Sequence, residues 1–212
     1  MKAMRIKILL VCCAIAFASV QVRAQWVVTD PGNLAQGIIN MSDNIAHTSK
    51  TAVNTAQNFA ETVKIYEQYK QYYDALKSVN NLVKDARKVR EIILMVGDVS
   101  DIYVTNFGKM MNDENFSPQE LDAIAFGYTQ LLEESNSVLQ DLKQVINVST
   151  LSMTDKDRMD VVDQCYREMR RYRNLVRYYT NKNIAASYLR ARKKNDMDRV
   201  LNLYGSETAK YW

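Results

Sequence analysis

The residues with the widest chemical repertoire are scarce in this 212-residue chain. There is one histidine, His47, and past residue 24 there is one cysteine, Cys165. A metal site built on His47 needs further ligands at helical spacing, and Asp43, four residues earlier, is the acid within reach. The spacing therefore reads as a histidine on a helix face. A Ser-His-Asp arrangement has no second histidine to draw on and no supporting motif. Cys165 falls on an apolar seam and reads as a buried, unreactive thiol, with an intermolecular disulfide as the alternative. Asp155, Asp157, Asp160 and Asp163 crowd the first turns of a helix, where carboxylates oppose the positive end of its dipole without acid–base work. No glycine-rich loop is present to cradle a phosphate. The reading is a chain with no catalytic, cofactor-binding or metal-ligating residues, no cofactor and no enzymatic activity.

Two groups of cations remain. Arg167, Arg170, Arg171, Arg173 and Arg177 alternate with Tyr172 and Tyr178, and Arg190, Arg192, Lys193 and Lys194 follow. Such a run suits nucleic acid, but it equally forms a solvated bundle face or pairs with acids elsewhere in the chain. The second group also suits a membrane surface or an acidic partner. No direct nucleic-acid partner is expected. The 13 tyrosines, among them Tyr66, Tyr69 and Tyr73 on one helical face and Tyr72 off it, suit a wet core or a subunit contact.

The formal net charge of +4 misleads. Residues 1–24 hold Lys2, Arg5, Lys7 and Arg23 and no acid, with an apolar run "ILLVCCAIAF" at 8–17 and Val22-Arg23-Ala24 after it. This pattern reads as a secretory signal peptide cleaved between Ala24 and Gln25, with Ala18/Ser19 as the fallback. The apolar run is short for a membrane span, and neither Cys12 nor Cys13 has the small residue before it that lipidation requires. Removal of the leader leaves 24 basic and 24 acidic residues. They are unevenly placed: residues 25–154 carry net −6 and residues 155–212 net +6. The halves can attract within one bundle, or between copies head to tail, so self-association is open. With Cys165 alone after the leader, an internal disulfide is excluded and a packed core must supply stability.

Six glycines and two prolines leave little to interrupt a helix. Pro31 and Pro118 each follow a good cap, Asp30 and Ser117, which places both at first helical positions. Ser117 with Glu120 makes a capping box. A first helix is predicted from 31 to about 95, with Ile38, Ile45, Ala52, Phe59, Tyr66 and Tyr73 every seventh residue and Met41, Tyr69, Leu76 and Val83 beside them. Thr48, Thr55 and Thr62 make that companion seam polar. Unbroken, it is on the order of 90 Å long, with a bend near Asn80-Asn81 or an early stop near Gly97 as alternatives. Residues 97–116 read as an appendage or connection. A second helix from 118 to about 148 has the seam Leu121, Ile124, Tyr128, Leu131, Ser135, Val138, Leu142 and Val145. A third, capped by Thr154, has the seam Val162, Cys165, Met169, Tyr172, Val176 and Tyr179. A bend is anticipated at 181–183, a break at 194–196, and a last short helix ends at Gly205. The predicted fold is all-α: an elongated antiparallel three-helix bundle with a small helical appendage, in which 25–212 form a single domain. Trp26-Val27-Val28 is the one piece with extended character.

The stretch "VVTDPGNLAQ" at 27–36 resembles the start of mature TrbJ-like conjugative transfer proteins, in the minor-pilin family of type IV secretion systems. The matching residues are Val28, Asp30, Pro31, Asn33, Ala35 and Gln36. Stretches such as "YDALKSVNNLVKDARKVR", "LMVGDVSDIYV", "AIAFGYTQLLEESN", "TLSMTDKDRMDVV" and "YYTNKNIAASYLRARKKNDMDRVL" are similar to the conjugative-transposon group of that family. The resemblance implies an exported, non-enzymatic structural or adhesive subunit of a conjugation apparatus. It would sit in the periplasm or on the cell surface or pilus of a Gram-negative bacterium. Its implied partners are other channel or pilus subunits and the recipient cell surface. A periplasmic helical chaperone or scaffold is the alternative. The resemblance carries no catalytic residues; Asp30 and Pro31 receive a helix-start role alone.

Overall fold

The computed structural model describes residues 31–51, 54–79, 84–146 and 154–205. The signal-peptide reading of 1–24, the extended piece at 26–28 and the Asp30 cap lie outside them. Six helices occur among the described residues, and no strand: α1 (Pro31–Thr51), α2 (Thr55–Ser78), α3 (Lys84–Met110), α4 (Pro118–Ile146), α5 (Asp155–Lys194) and α6 (Met197–Tyr204).

This corrects the elongated three-helix bundle. The rod expected from 31 to about 95 is instead α1, α2 and the first part of α3. Asn54 stands in extended backbone and its side chain accepts the N–H of Ala56, which starts a new helix where the heptads ran on. At the other end Val79 is again extended, and its N–H bonds Leu76 O to close α2. Two arms that each present an apolar stripe bury more of it by packing on one another than by standing end to end. α1 accordingly packs against α2, and both pack on α3. The seam residues are nevertheless core: Ile38, Met41, Ile45, Phe59, Tyr66, Tyr73 and Leu76 are buried.

The stretch 97–116, expected as an appendage or connection, supplies the second half of α3 and the loop after it. α3 touches α1, α2, α4 and α5. Val99, Tyr103, Phe107 and Met110 project from it into the core. Tyr103 stacks on Tyr128 of α4 with ring centroids 4.8 Å apart, and Phe107 meets Phe59 of α2 edge-on at 5.1 Å. Tyr128 continues the cluster edge-on to Tyr179 of α5 at 5.2 Å. Its hydroxyl is not orphaned, because Thr180 Oγ1 lies 2.7 Å away.

The later helix boundaries follow the sequence. Ser117 and Glu120 form the reciprocal capping bonds that start α4. Thr154 and Asp157 do the same for α5. α5 runs through 181–183 without interruption for 40 residues, then ends at Asn195 in the left-handed conformation. Gly205, at φ 93°, closes α6.

Three glycines inside helices admit tyrosine rings from neighbouring helices, Gly37 of α1 beneath Tyr72 of α2 among them. A methyl group at Gly97 of α3 would overlap the ring of Tyr73, and one at Gly127 of α4 would overlap Tyr179. Ring seating at Gly97 also sets up the bond from Tyr73 OH to Asp98. Gly97→Ala gains ~1 kcal/mol in helix propensity but overpacks the site by about 1–3 kcal/mol. A net loss is expected, read as a lower Tm by circular dichroism. A Tm equal to or above that of the parent contradicts the packing described.

Candidate interaction surface

α5 is the element that organises the charged groups. Its inner face buries Val162, Cys165, Met169, Val176, Thr180, Ile184, Ser187, Tyr188 and Ala191. Beside that face, cations from the positive C-terminal part meet acids from the negative first part. Arg173 reaches Asp98 of α3 at 3.0 Å, Arg190 forks onto Glu120 of α4, and Arg199 of α6 reaches Asp113 at 3.1 Å. Tyr172 donates to Glu134 at 3.1 Å. The charge asymmetry is thus partly satisfied inside one molecule. Arg190 holds the Glu120 carboxyl well below its ordinary range, at about 2.

The most deeply buried of these ties is at Asp113, in the loop between α3 and α4. Its carboxylate is fully buried. Burial alone would push its pKa up. Donors from Ser187 Oγ, the Asn115 N–H, Tyr204 OH and the Arg199 guanidinium outweigh burial and hold the value below the ordinary carboxylate range. Asn115 in turn donates to Ser187 Oγ at 3.1 Å, while its own carbonyls accept from Arg190 and Lys194. The loop, the end of α5 and α6 are therefore tied through one anion.

A cleft of about 410 Å3 opens between α2, α3 and α5, lined by Tyr73, Lys77, Glu91, Asp98, Tyr166 and Arg170 among others. Asp98 already accepts from Tyr73 and Arg173. Burial first, then the bond to Asp98, push the Tyr73 hydroxyl well above its ordinary pKa. A tyrosine held protonated this way is a hydrogen-bond donor, not a base. The cleft clasps helices together; it holds no histidine or cysteine.

The residues singled out in the sequence are scattered. His47 is exposed on α1, beside Asp43 and near Glu133 and Glu134 of α4. Among the described residues no group of three or more histidines, cysteines or carboxylates is arranged to hold a metal ion. Cys165 is 3% exposed, and burial, then the charges of Asp141 and Glu168, push its thiol up to about 11. Asp157 serves the α5 cap and Asp163 pairs with Lys88 of α3. Arg173 and Arg190 point to partners within the fold, whereas Arg167, Arg170, Arg171, Arg177, Arg192 and Lys193 are exposed. Sequence reasoning missed the Asp113 hub. Its one signal was Asp113 between two asparagines, Asn112 and Asn115, just before the Ser117 cap in a loop of only seven residues.

No helix among the described residues is long and apolar enough to cross a membrane. Residues 7–59, about a quarter of the chain, match a family model described as a domain of unknown function, DUF4141. No curated protein and no solved structure matches the chain.

Two outcomes are expected. Replacing Asp113 by Asn leaves the Ser187, Tyr204 and Arg199 donors around a neutral amide, while Arg199 keeps its ion pair with Asp196, and should cost about 1–3 kcal/mol at neutral pH, the range for buried hydrogen-bonding groups left poorly satisfied. Because the folded pKa of Asp113 lies below the unfolded value of about 3.9, its contribution is complete above that value. It fades as pH falls through the lower, folded one. Urea melts at pH 7 and in steps from pH 4 downwards should show the parent losing stability faster than Asp113→Asn; parallel losses contradict the assignment. Separately, Cys165 should react with a thiol-specific reagent many-fold faster in denaturant than in the native protein. Equal rates would contradict its burial.

Proposed function

We propose that the chain is an exported, non-enzymatic structural or adhesive subunit of a type IV secretion or conjugation apparatus, supporting DNA transfer between bacteria. The observation that carries this reading is the order of signals at the start of the sequence. A basic and apolar leader precedes "VVTDPGNLAQ", which resembles the mature start of TrbJ-like transfer proteins, and a long helical region follows. The structure supports the reading in a more general way. Buried polar groups of α3, α5 and α6 are engaged in tying helices to one another, while α5 presents its remaining cations outward. A subunit of an assembly needs such an outward face left for its neighbours.

On this reading the mature chain begins at Gln25 and works in the periplasm or on the cell surface or pilus. Deleting its gene should abolish transfer to recipient cells, while DNA nicking by the relaxase and ATP hydrolysis by the coupling protein persist. Transfer at the parental frequency contradicts the proposal. Suppression of client aggregation by the purified chain, with transfer intact, would point to a periplasmic chaperone instead.

A further inference from the structure

α5 carries a second seam, on the side away from the bundle. Leu175, Lys182 and Leu189 recur every seventh residue; so do Arg171, Tyr178, Ala185 and Arg192. The two rows interleave with steps of three and four from 171 to 192, the spacing of a coiled-coil seam. Three of the four apolar members are exposed, Leu175 at 42%, Tyr178 at 59% and Leu189 at 61%, while Ala185 is half-buried. Arg171, Lys182 and Arg192 are exposed as well. The inner face of α5 is already buried against α3, α4 and α6, so this outer row is not needed for the fold. It is about 32 Å long, at 1.5 Å per residue.

The charge on this row has one sign. From 164 to 194 the helix holds ten arginines and lysines and a single acid, Glu168. Glu168 is engaged locally by Gln164. The cations that answer the protein's own acids, Arg173 and Arg190, lie off the row. Lys182 stays on it, its ammonium 5.3 Å from the centre of the Tyr178 ring. A partner must therefore supply apolar side chains for Leu175, Tyr178 and Leu189, and acids for Arg171, Lys182 and Arg192.

We infer that the outer face of α5 is a docking surface for an acidic amphipathic helix of another protein. The width of the row separates this occupant from others. The members from Leu175 to Leu189 fall within roughly 80° of the helix circumference, narrower than the apolar face of at least 100° that a helix burying itself in a broad apolar environment presents. A membrane surface is therefore a poor match. A second copy docked through the same row would oppose Arg171 to Arg192 and Lys182 to its own twin in the antiparallel arrangement, and like charges at such positions repel. A nucleic acid uses the cations and leaves the leucines without a partner. A helix with leucine at the seam and glutamate beside it satisfies both. The inference stands on α5 alone and does not rest on a role in conjugation.

The test uses the mature protein and a fluorescent synthetic helix of about four heptads, with leucine at the seam and glutamate flanking it. Its control peptide has lysine in place of every glutamate. Saturable binding of the acidic peptide is expected, with at least about tenfold weaker binding to Tyr178→Ser/Leu189→Ser and to Lys182→Glu. All three positions are exposed, and unchanged thermal melts would confirm that the variants fold. Lys64→Glu, on α2, should bind like the parent. The inference is overturned if the acidic peptide does not bind, or binds these variants as well as the parent. It is also overturned if phosphatidylglycerol vesicles or a single-stranded oligonucleotide bind in its place with the same dependence on Lys182, or if the row instead mediates self-association lost in Leu189→Ser.

Discussion

Asp113 is charged, buried and surrounded. A carboxylate removed from water is tolerated only when donors replace the water, and a partial set of donors leaves a cost of several kcal/mol. Here the donors come from four places in the chain: the neighbouring Asn115 backbone, Ser187 in α5, Tyr204 at the end of α6, and Arg199 in its middle. None of these can move away without exposing the anion to an unfilled site. The α3–α4 loop, the last turns of α5 and the whole of α6 are fixed by this one requirement. Tyr188 extends the same corner, donating to the Gly205 carbonyl as its ring meets that of Tyr204.

The rest of the bundle repeats the logic with tyrosine. Tyr66 bonds Asp101 at 2.8 Å, Tyr73 bonds Asp98, and Tyr128 bonds Thr180. Each ring supplies apolar area to the core while its hydroxyl joins two helices. Gly97 and Gly127 are where the approach is closest. Acids of the first half meet cations of the second at Asp98–Arg173, Glu120–Arg190 and Asp113–Arg199, so part of the charge asymmetry of the sequence is a folding device. What α5 keeps on its outer side is the excess.

Much of this was legible from spacing. The seam residues of the three predicted helices are mostly buried, and the caps at Ser117, Thr154, Asn195 and Gly205 stand where local chemistry puts them. The architecture was not legible, for a definite reason. Ile45 and Phe59 are two heptads apart, so a helix start at Asn54 that preserves the count is invisible to periodicity. Asn54 was the available signal, since asparagine caps helices better than it continues them. Residues 97–116 look like a connection in sequence because the apolar piece from Ile102 to Met111 is short and is closed by a polar loop. Gly97 and Gly108 are small because Tyr73 and Phe59 lean on them. The Asp113 hub was hidden because three of its four donors lie more than 70 residues away in sequence. No local pattern records such a pairing.

This one anion couples the α3–α4 loop, the end of α5 and α6 into a single cooperative unit. Hydrogen–deuterium exchange of the native protein and of Ser187→Ala, followed peptide by peptide, tests it most directly. Removing that one donor is expected to speed exchange together in the loop at 111–117, the last turns of α5 and α6, and to leave α1 and α2 unchanged. Faster exchange confined to the turn around residue 187, with α6 and the loop as protected as before, would contradict it.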